Sequence, residues 1–268
     1  MVKEILSAAF LENGIDILDI LGAPGETRIE REDGTLIIVN PLREDFIAIA
    51  VSIQNIRPQN IVGNFLEFIV FTLCTVIFGI YASYVAVYDF KFKTYKILSV
   101  QYLQSEIIAG KLLSIIITMV FVLATAAFIV FIGSFFINSF VRIHVPIDEF
   151  AIDFLNYEHG LLLQALLSFC ILIFYIILGF SIAFMSKTMI IPIIGLLLYG
   201  FFIPMLGPFD FRNIFSLFAH QVFSFSARFV MVSPIPVNGY LGGAFIIMTA
   251  LGLMLLTIYV ANKHSLFN

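Results

Sequence analysis

Charged residues are scarce in this chain of 268 residues: they make up 12% of it, whereas 61% of the residues are hydrophobic. A soluble globular domain carries about 25% charged residues, so this chain has too few to cover a surface that faces water. The composition excludes a soluble enzyme and predicts an integral membrane protein. The net charge of −4 lacks the basic excess of a nucleic-acid-binding protein, so no nucleic-acid partner is expected.

Cysteine and histidine are also scarce. Cys74 and Cys170 are the only cysteines, and each lies within an apolar run, which excludes a disulfide framework or a cysteine metal cluster. The four histidines are scattered without the spacing of metal ligands on one helix. No catalytic constellation is found, so we expect neither an enzyme nor a cofactor bound by this chain itself.

Long apolar runs are what the sequence has in abundance. A helix needs about 20 apolar residues to cross a hydrocarbon core roughly 30 Å thick. Five runs qualify and predict an all-α polytopic membrane protein with spans over residues 65–88, 112–136, 161–185, 189–206 and 240–260. Three residues separate the third and fourth spans, which predicts a tight antiparallel hairpin.

The positions of the lysines predict the orientation, because short cytoplasmic loops carry an excess of basic residues. If the connector between the first two spans is cytoplasmic, six lysines lie inside: Lys91, Lys93, Lys96, Lys111, Lys187 and Lys263. We therefore expect a multi-pass protein of the cell membrane with its N-terminus outside and its C-terminus in the cytoplasm.

Two regions outside the spans have their own patterns. Residues 1–63 are acidic and predict a small external α+β region, separate from a transmembrane domain over residues 64–268. Short amphipathic helices are expected within residues 5–21, and a β-hairpin is expected over residues 27–39 around Asp33-Gly34, a typical tight-turn dipeptide. Phenylalanines spaced by three and four residues over 213–232 predict an external helix. That helix either lies in the outer interface or dips in and returns.

The connector between the first two spans is short and basic. Its length, from Asp89 to Lys111, suffices for one interfacial helix and is too small for a domain. Because such an element is continuous with both spans, it can transmit force to them from a soluble partner. The residues of interest in it are Asp89, Lys91, Lys93, Thr94, Tyr95, Lys96, Gly110 and Lys111.

This connector resembles that of the type-2 ATP-binding-cassette exporter permeases. The family has an acidic residue at the inner end of a span, then a basic residue, a Gly-Thr pair and a lysine, and finally a helix that closes with Gly-Lys-Leu. Asp89, Thr94, Lys96 and residues 110–112 match this pattern, whereas Lys93 stands in place of the glycine. The resemblance runs from about residue 66 to the C-terminus. The family's usual six spans include one before this region, so residues 1–63 would correspond to its first external loop.

The resemblance implies a permease subunit that pairs with a second copy or a sister permease and recruits a separate ATPase to the loop from Asp89 to Lys111. ATP would act through that ATPase, since the residues around Lys111 lack the glycine spacing of a phosphate-binding loop. The implied activity is export of an unidentified peptide, drug or lipid. Contact with anionic membrane lipid is a simpler explanation of the connector lysines.

Two other functions remain open. The phenylalanine-rich external helix and the acidic N-terminal region also suit a non-pumping immunity protein that binds a toxic peptide at the outer face. An ion-coupled carrier would use Glu67, the one ionisable side chain within a predicted span.

Three polar side chains within the spans are candidates for a transport pathway: Glu67, Gln164 and Tyr175. Simpler explanations exist for each of them. Glu67 is close enough to the outer end of its span to reach water, and hydrogen bonding between helices accounts for the other two.

Overall fold

The computed structural model of the chain describes residues 28–30, 36–38, 41–144, 160–225, 229 and 231–266. The chain divides into two compact units. The first comprises Met1–Arg57 with Phe135–Asn156, and the second comprises Pro58–Ser134 with Tyr157–Asn268.

The described part of the first unit contains a pair of strands, one helix and residues 135–144 of a longer helix. Strands β1 (Arg28–Glu30) and β2 (Leu36–Ile38) pair antiparallel, and helix α1 (Pro41–Asn55) follows them. The external α+β region predicted over residues 1–63 is not supported as a whole. Its expected helices at residues 5–21 lie outside the described residues, and residues 41–63 are almost entirely helical.

The second unit is built from helices. They are α2 (Pro58–Ile69), α3 (Thr75–Lys91), α4 (Tyr95–Gln101), α5 (Gln104–His144, whose end belongs to the first unit), α6 (Leu161–Ser186), α7 (Ile190–Leu197), α8 (Phe211–Val222) and α9 (Gly239–Leu266). Two π-helical turns occur among the described residues: Val70–Cys74 joins α2 to α3, and Leu198–Phe202 extends α7.

Four helices within the described residues are long and apolar enough to cross a membrane: Asn60–Lys91, Gln104–Ile143, Leu161–Ser186 and Gly239–Lys263. They contain four of the five predicted spans and are compatible with a multi-pass membrane protein. The predicted span over residues 189–206 is wrong, because the helix there covers only Ile190–Phe202. Its length of about 20 Å is too short for the hydrocarbon core.

Pro204 explains why this helix ends early. A proline disfavours helical geometry in the residue before it, and Ile203 is extended, with φ −83° and ψ 126°. The apolar run continues beyond that point, but the helix does not.

Helices α7 and α8 both pack along α6, one after the other. Helix α8 begins near the point where α7 ends. Gly200, in the π-helical turn after α7, lies beside Val76. Phe211, at the start of α8, packs against Phe174 with ring centroids 4.8 Å apart. At the other end of α8, the Gln164 side chain donates to the Val222 carbonyl at 3.4 Å. Residues 164 and 174 are ten apart on α6, or about 15 Å, so α8 runs from the middle of α6 to its N-terminal end.

The chain after α8 turns back along it. The Asn213 side chain accepts from the Ile235 N–H at 2.7 Å and donates to the Ile235 carbonyl at 3.0 Å, and the Ser216 hydroxyl donates to the Val232 carbonyl at 2.9 Å. The helix predicted over residues 213–232 therefore ends at Val222, and the described residues 231–235 run back beside α8. Helix α9 then packs on α8, with Phe245 stacked on Phe211.

The closest helix contact in the second unit is between α3 and α6. A Cβ added to Gly179 would overlap the Gly79 carbonyl oxygen, so the two backbones touch. Ser83 donates to the carbonyls of Gly79 and Gly179 at 2.7 and 3.1 Å. Small residues permit this close approach. In lipid no hydrophobic force draws helices together, so close packing and hydrogen bonds stabilise the contact instead.

We predict that Gly179→Ala lowers the stability of the protein by about 1–3 kcal/mol, since its Cβ meets backbone that cannot move aside without separating the helices. Thermal unfolding in detergent, followed by circular dichroism, measures the change. Gly133→Ala is the matched control, because Gly133 lies in α5 with nothing within 4 Å of an added Cβ. Equal melting temperatures for the two variants would contradict the prediction.

Candidate functional site

Helix α3 ends in a turn that brings the connector back toward the helix. The Thr94 N–H donates to the Asp89 carbonyl at 3.0 Å, and the Lys93 N–H donates to the Phe90 carbonyl at 3.3 Å. These two bonds form a Schellman motif, which requires a residue in left-handed conformation just past the helix. Lys93 is that residue, with φ 59°. Glycine is the usual occupant of this position.

An ion pair joins the two ends of the connector. The Lys111 Nζ lies 2.6 Å from Asp89 Oδ2 and also donates to the Val85 carbonyl at 3.2 Å. The Thr94 hydroxyl donates to the other Asp89 oxygen at 3.2 Å. Both charged side chains are mostly buried. Hence the start of α5 is held against the end of α3 by charge as well as by packing.

Tyr95 fixes the middle of the connector. Its ring packs against Phe90 at 4.6 Å and Phe184 at 5.9 Å, and its hydroxyl donates to Gln104 Oε1. Burial, together with the negative charge of Asp89, raises the pKa of Tyr95 to about 12. The hydroxyl therefore stays protonated near neutral pH and keeps α4 joined to the start of α5.

The other side of the connector is exposed. Large apolar side chains stand out from it, with Val100 the most exposed at 87%, and Ile97, Tyr102 and Leu103 beside it in sequence. Lys91 and Lys93 are exposed as well. We call these six residues the connector surface. It combines two positive charges with an apolar area.

The predicted connector residues thus separate into two groups. Asp89, Thr94, Tyr95 and Lys111 come together in one buried cluster. Lys91, Lys93 and Gly110 are exposed. Lys96 belongs to α4 by its backbone, and its side chain lies outside the described residues.

Two of the predicted pathway residues hold the N-terminal end of α6 and the loop after α8. Glu67 is 1% exposed and accepts the Phe225 N–H at 3.1 Å, so its side chain does not reach out to water. Phe225 has a left-handed backbone, with φ 47°. Gln164 packs closely on Gly63: a Cβ added to Gly63 would overlap the side-chain oxygen of Gln164. Both side chains therefore contact the segment around the end of α8.

The third predicted pathway residue, Tyr175, lines a cavity of about 90 Å³. Thr72, Thr75 and Arg212 supply the other polar side chains of its wall, and the rest of the lining is apolar apart from Gly200. Glu67 and Gln164 are not part of this wall. The structure therefore separates Tyr175 from the other two candidates.

A polar cluster beside the cavity was missed by the sequence analysis. Asp210 caps α8 and accepts from the Tyr199 hydroxyl, from the Leu206 N–H at 2.8 Å and from the Arg212 N–H at 3.0 Å. Burial alone would raise the pKa of Asp210, but these hydrogen bonds and the Arg212 charge outweigh it and hold that pKa below its usual range. The Arg212 guanidinium lies over the Tyr199 ring at 4.5 Å. The N-capping preference of aspartate was the available sequence signal.

No protein-family model, curated protein or solved structure matches this chain. Among the described residues, no group of three or more potential ligands could hold a metal ion.

The Asp89–Lys111 pair is expected to show strong coupling in a double-mutant cycle. Asp89→Asn or Lys111→Met leaves a buried charge without its partner, whereas the double variant removes both charges. The two single changes should therefore each cost more than half of what the double variant costs, with a coupling energy of about 1–3 kcal/mol. Chemical unfolding of the four proteins in detergent measures it, and additive effects would show that the pair contributes nothing.

Lys93→Gly is expected to stabilise the turn after α3 by about 1 kcal/mol, because glycine adopts the left-handed conformation without steric cost. Lys93→Val should destabilise it, since a β-branched residue is strained there. Lys91→Gly is the control: it lies within the last turn of α3, where glycine costs about 1 kcal/mol. A lower melting temperature for Lys93→Gly would contradict the observed turn.

Proposed function

We propose that this chain is the permease subunit of an ATP-driven exporter in the cell membrane and that the connector from Asp89 to Lys111 couples it to a separate ATPase subunit. The observation that carries the proposal is the combination of a connector fastened at both ends with an exposed connector surface. A movement imposed on that surface reaches α3 through the Schellman turn and α5 through the Lys111 ion pair.

The conformation of Lys93 supports the resemblance on which the proposal also draws. The exporter permeases have glycine at this position, and Lys93 adopts the backbone conformation that glycine favours. The sequence departs from the family pattern here, but the turn that the pattern requires is present. The acid and the Gly-Lys pair of the pattern also meet, since Asp89 binds Lys111.

The chemistry of the connector surface suits a protein partner. Val100, Leu103 and Ile97 are 87%, 68% and 63% exposed, and apolar area of this kind on a polar-flanked surface marks an interaction site. Lys91 and Lys93 beside it would face acidic residues of an ATPase groove. In this proposal the connector lies in the cytoplasm, the N-terminus outside and the C-terminus inside.

The remaining parts of the proposal follow from the separation of transport and ATP hydrolysis between two subunits. The chain itself hydrolyses no ATP, and its cargo is an unidentified peptide, drug or lipid. Most of the apolar surface of α5 and α9 is not buried within the chain, at 17% and 11% burial of their most apolar segments. That surface is available to membrane lipid and to a second copy or a sister permease.

Site-specific photo-crosslinking tests the proposal. A photoreactive residue at position 100 should capture an ATPase subunit in the native host, identified by mass spectrometry after mild detergent extraction. Position 240, at the start of α9, is the matched control, because Tyr240 is 93% exposed but far along the chain from the connector. Capture of lipid alone at position 100, or of the same proteins at both positions, would refute the docking role.

A second experiment separates export from passive protection. Replacing Lys91, Lys93 and Lys96 together by glutamine should abolish both ATPase co-purification and transport. A non-pumping immunity protein that binds a toxic peptide at the outer face would keep its protective effect in this variant.

A further inference from the structure

The chain leaves helical geometry between α7 and α8. The π-helical turn that extends α7 ends at Phe202, and α8 begins at Phe211 after its cap, Asp210. We call the residues between them, 203–209, the break segment. No helix or strand is formed by these residues, so regular secondary structure does not pair their backbone N–H and carbonyl groups.

The break segment lies level with the middle of α6. Phe211, just after it, packs on Phe174 with ring centroids 4.8 Å apart. Phe174 is thirteen residues from Leu161 and twelve from Ser186, the two ends of α6, so it is about 18–20 Å from either end. In a membrane that α6 crosses, the hydrocarbon core is roughly 30 Å thick. The break segment therefore lies inside this core rather than at its surface.

One side of the break segment is held by its own chain and the other side is exposed. Asp210 accepts from the Leu206 N–H at 2.8 Å, and the Arg212 side chain donates to the Pro204 carbonyl at 2.8 Å. In contrast, Leu206 is 74% exposed and Phe209 is 51% exposed. No residue of the preceding π-helical turn is buried either.

Neither lipid nor water suits this exposed surface. Lipid tails form no hydrogen bonds, and irregular backbone within the hydrocarbon region occurs only where protein or a water-filled cavity covers it. Water is a poor neighbour for large apolar side chains, and Phe201, Phe202, Leu206 and Phe209 are all exposed. The neighbour that satisfies both conditions is an apolar protein surface.

We infer that the break segment, with Phe201 and Phe202 before it, is an interface that a second copy of this chain covers within the membrane. Residues 201–209 contain no charged residue, so two copies can bring the same surface together without electrostatic repulsion. A twofold dimer does this by symmetry, because each copy contributes the same patch. The interface does not depend on ATPase docking, so its test is independent of the proposed function.

Photo-crosslinking between two tagged forms of the full chain tests this interface. One form carries a photoreactive residue at position 206, and the other carries a different tag and no photoreactive residue. In native-host membranes, light should join the two forms, so that purification by one tag recovers the other. Position 121 is the matched control, because Phe121 is 72% exposed and lies in the regular helix α5, about 15 Å along it from Lys111. That position should label mainly lipid.

Every other result at position 206 counts against the interface. Labelling of lipid alone would show that acyl chains cover the break segment, and the absence of any product would indicate that water faces it. A link within one chain, or to a different protein, would identify another occupant. An equal yield of joined copies at positions 206 and 121 would show that the copies meet only by collision.

Self-association of the purified chain in liposomes gives a second measure. Replacing Phe202 and Leu206 together by alanine removes two large side chains from the interface, so the dissociation constant of the dimer should rise about tenfold or more. Phe121→Ala with Ile129→Ala removes exposed side chains from α5 instead and should leave it unchanged. Single-molecule photobleaching measures the dimer fraction over a range of protein-to-lipid ratios, and circular dichroism verifies that both variants are folded. A wild-type chain that stays monomeric, or an equal effect of the two double variants, would overturn the inference.

Discussion

The contact between the backbones of Gly79 and Gly179 sets the distance between α3 and α6, and both polar sites of the second unit depend on that distance. On one side of the contact, Phe90 at the end of α3 meets Phe184 at the end of α6, where the connector is anchored. On the other side, Thr75 and Tyr175 face one cavity. Lipid supplies no hydrophobic force between helices, so close packing must hold these positions.

The two sites lie on the same helix, separated by a fixed length. Asp89 and Thr75 are fourteen residues apart on α3, which corresponds to about 21 Å. Between them, α3 is continuous and is packed against α6 and α7. The connector and the cavity are therefore joined by one continuous helix.

Four of the long helices could be predicted from the sequence, because apolar runs are local signals. The wrong prediction of a span over residues 189–206 shows what apolar content cannot reveal. The residues on both sides of Pro204 are equally apolar, but the helix ends before this proline. The partners of Glu67 and Asp210 could not be predicted, since Phe225 lies 158 residues from Glu67 and Tyr199 lies 11 residues from Asp210. Such partners are set by tertiary folding. At position 93 the backbone adopts the left-handed conformation that glycine favours, although the residue is a lysine.

The ion pair between Asp89 and Lys111 has a mechanical consequence. It joins the two ends of the connector directly. The hydrogen bond from Lys111 to the Val85 carbonyl adds a second attachment one turn earlier in α3. Because the connector is held at both ends, it cannot pivot about one end alone. A force applied to α4 would therefore act on α3 and α5 together, because the ion pair joins the two helices at the base of the connector.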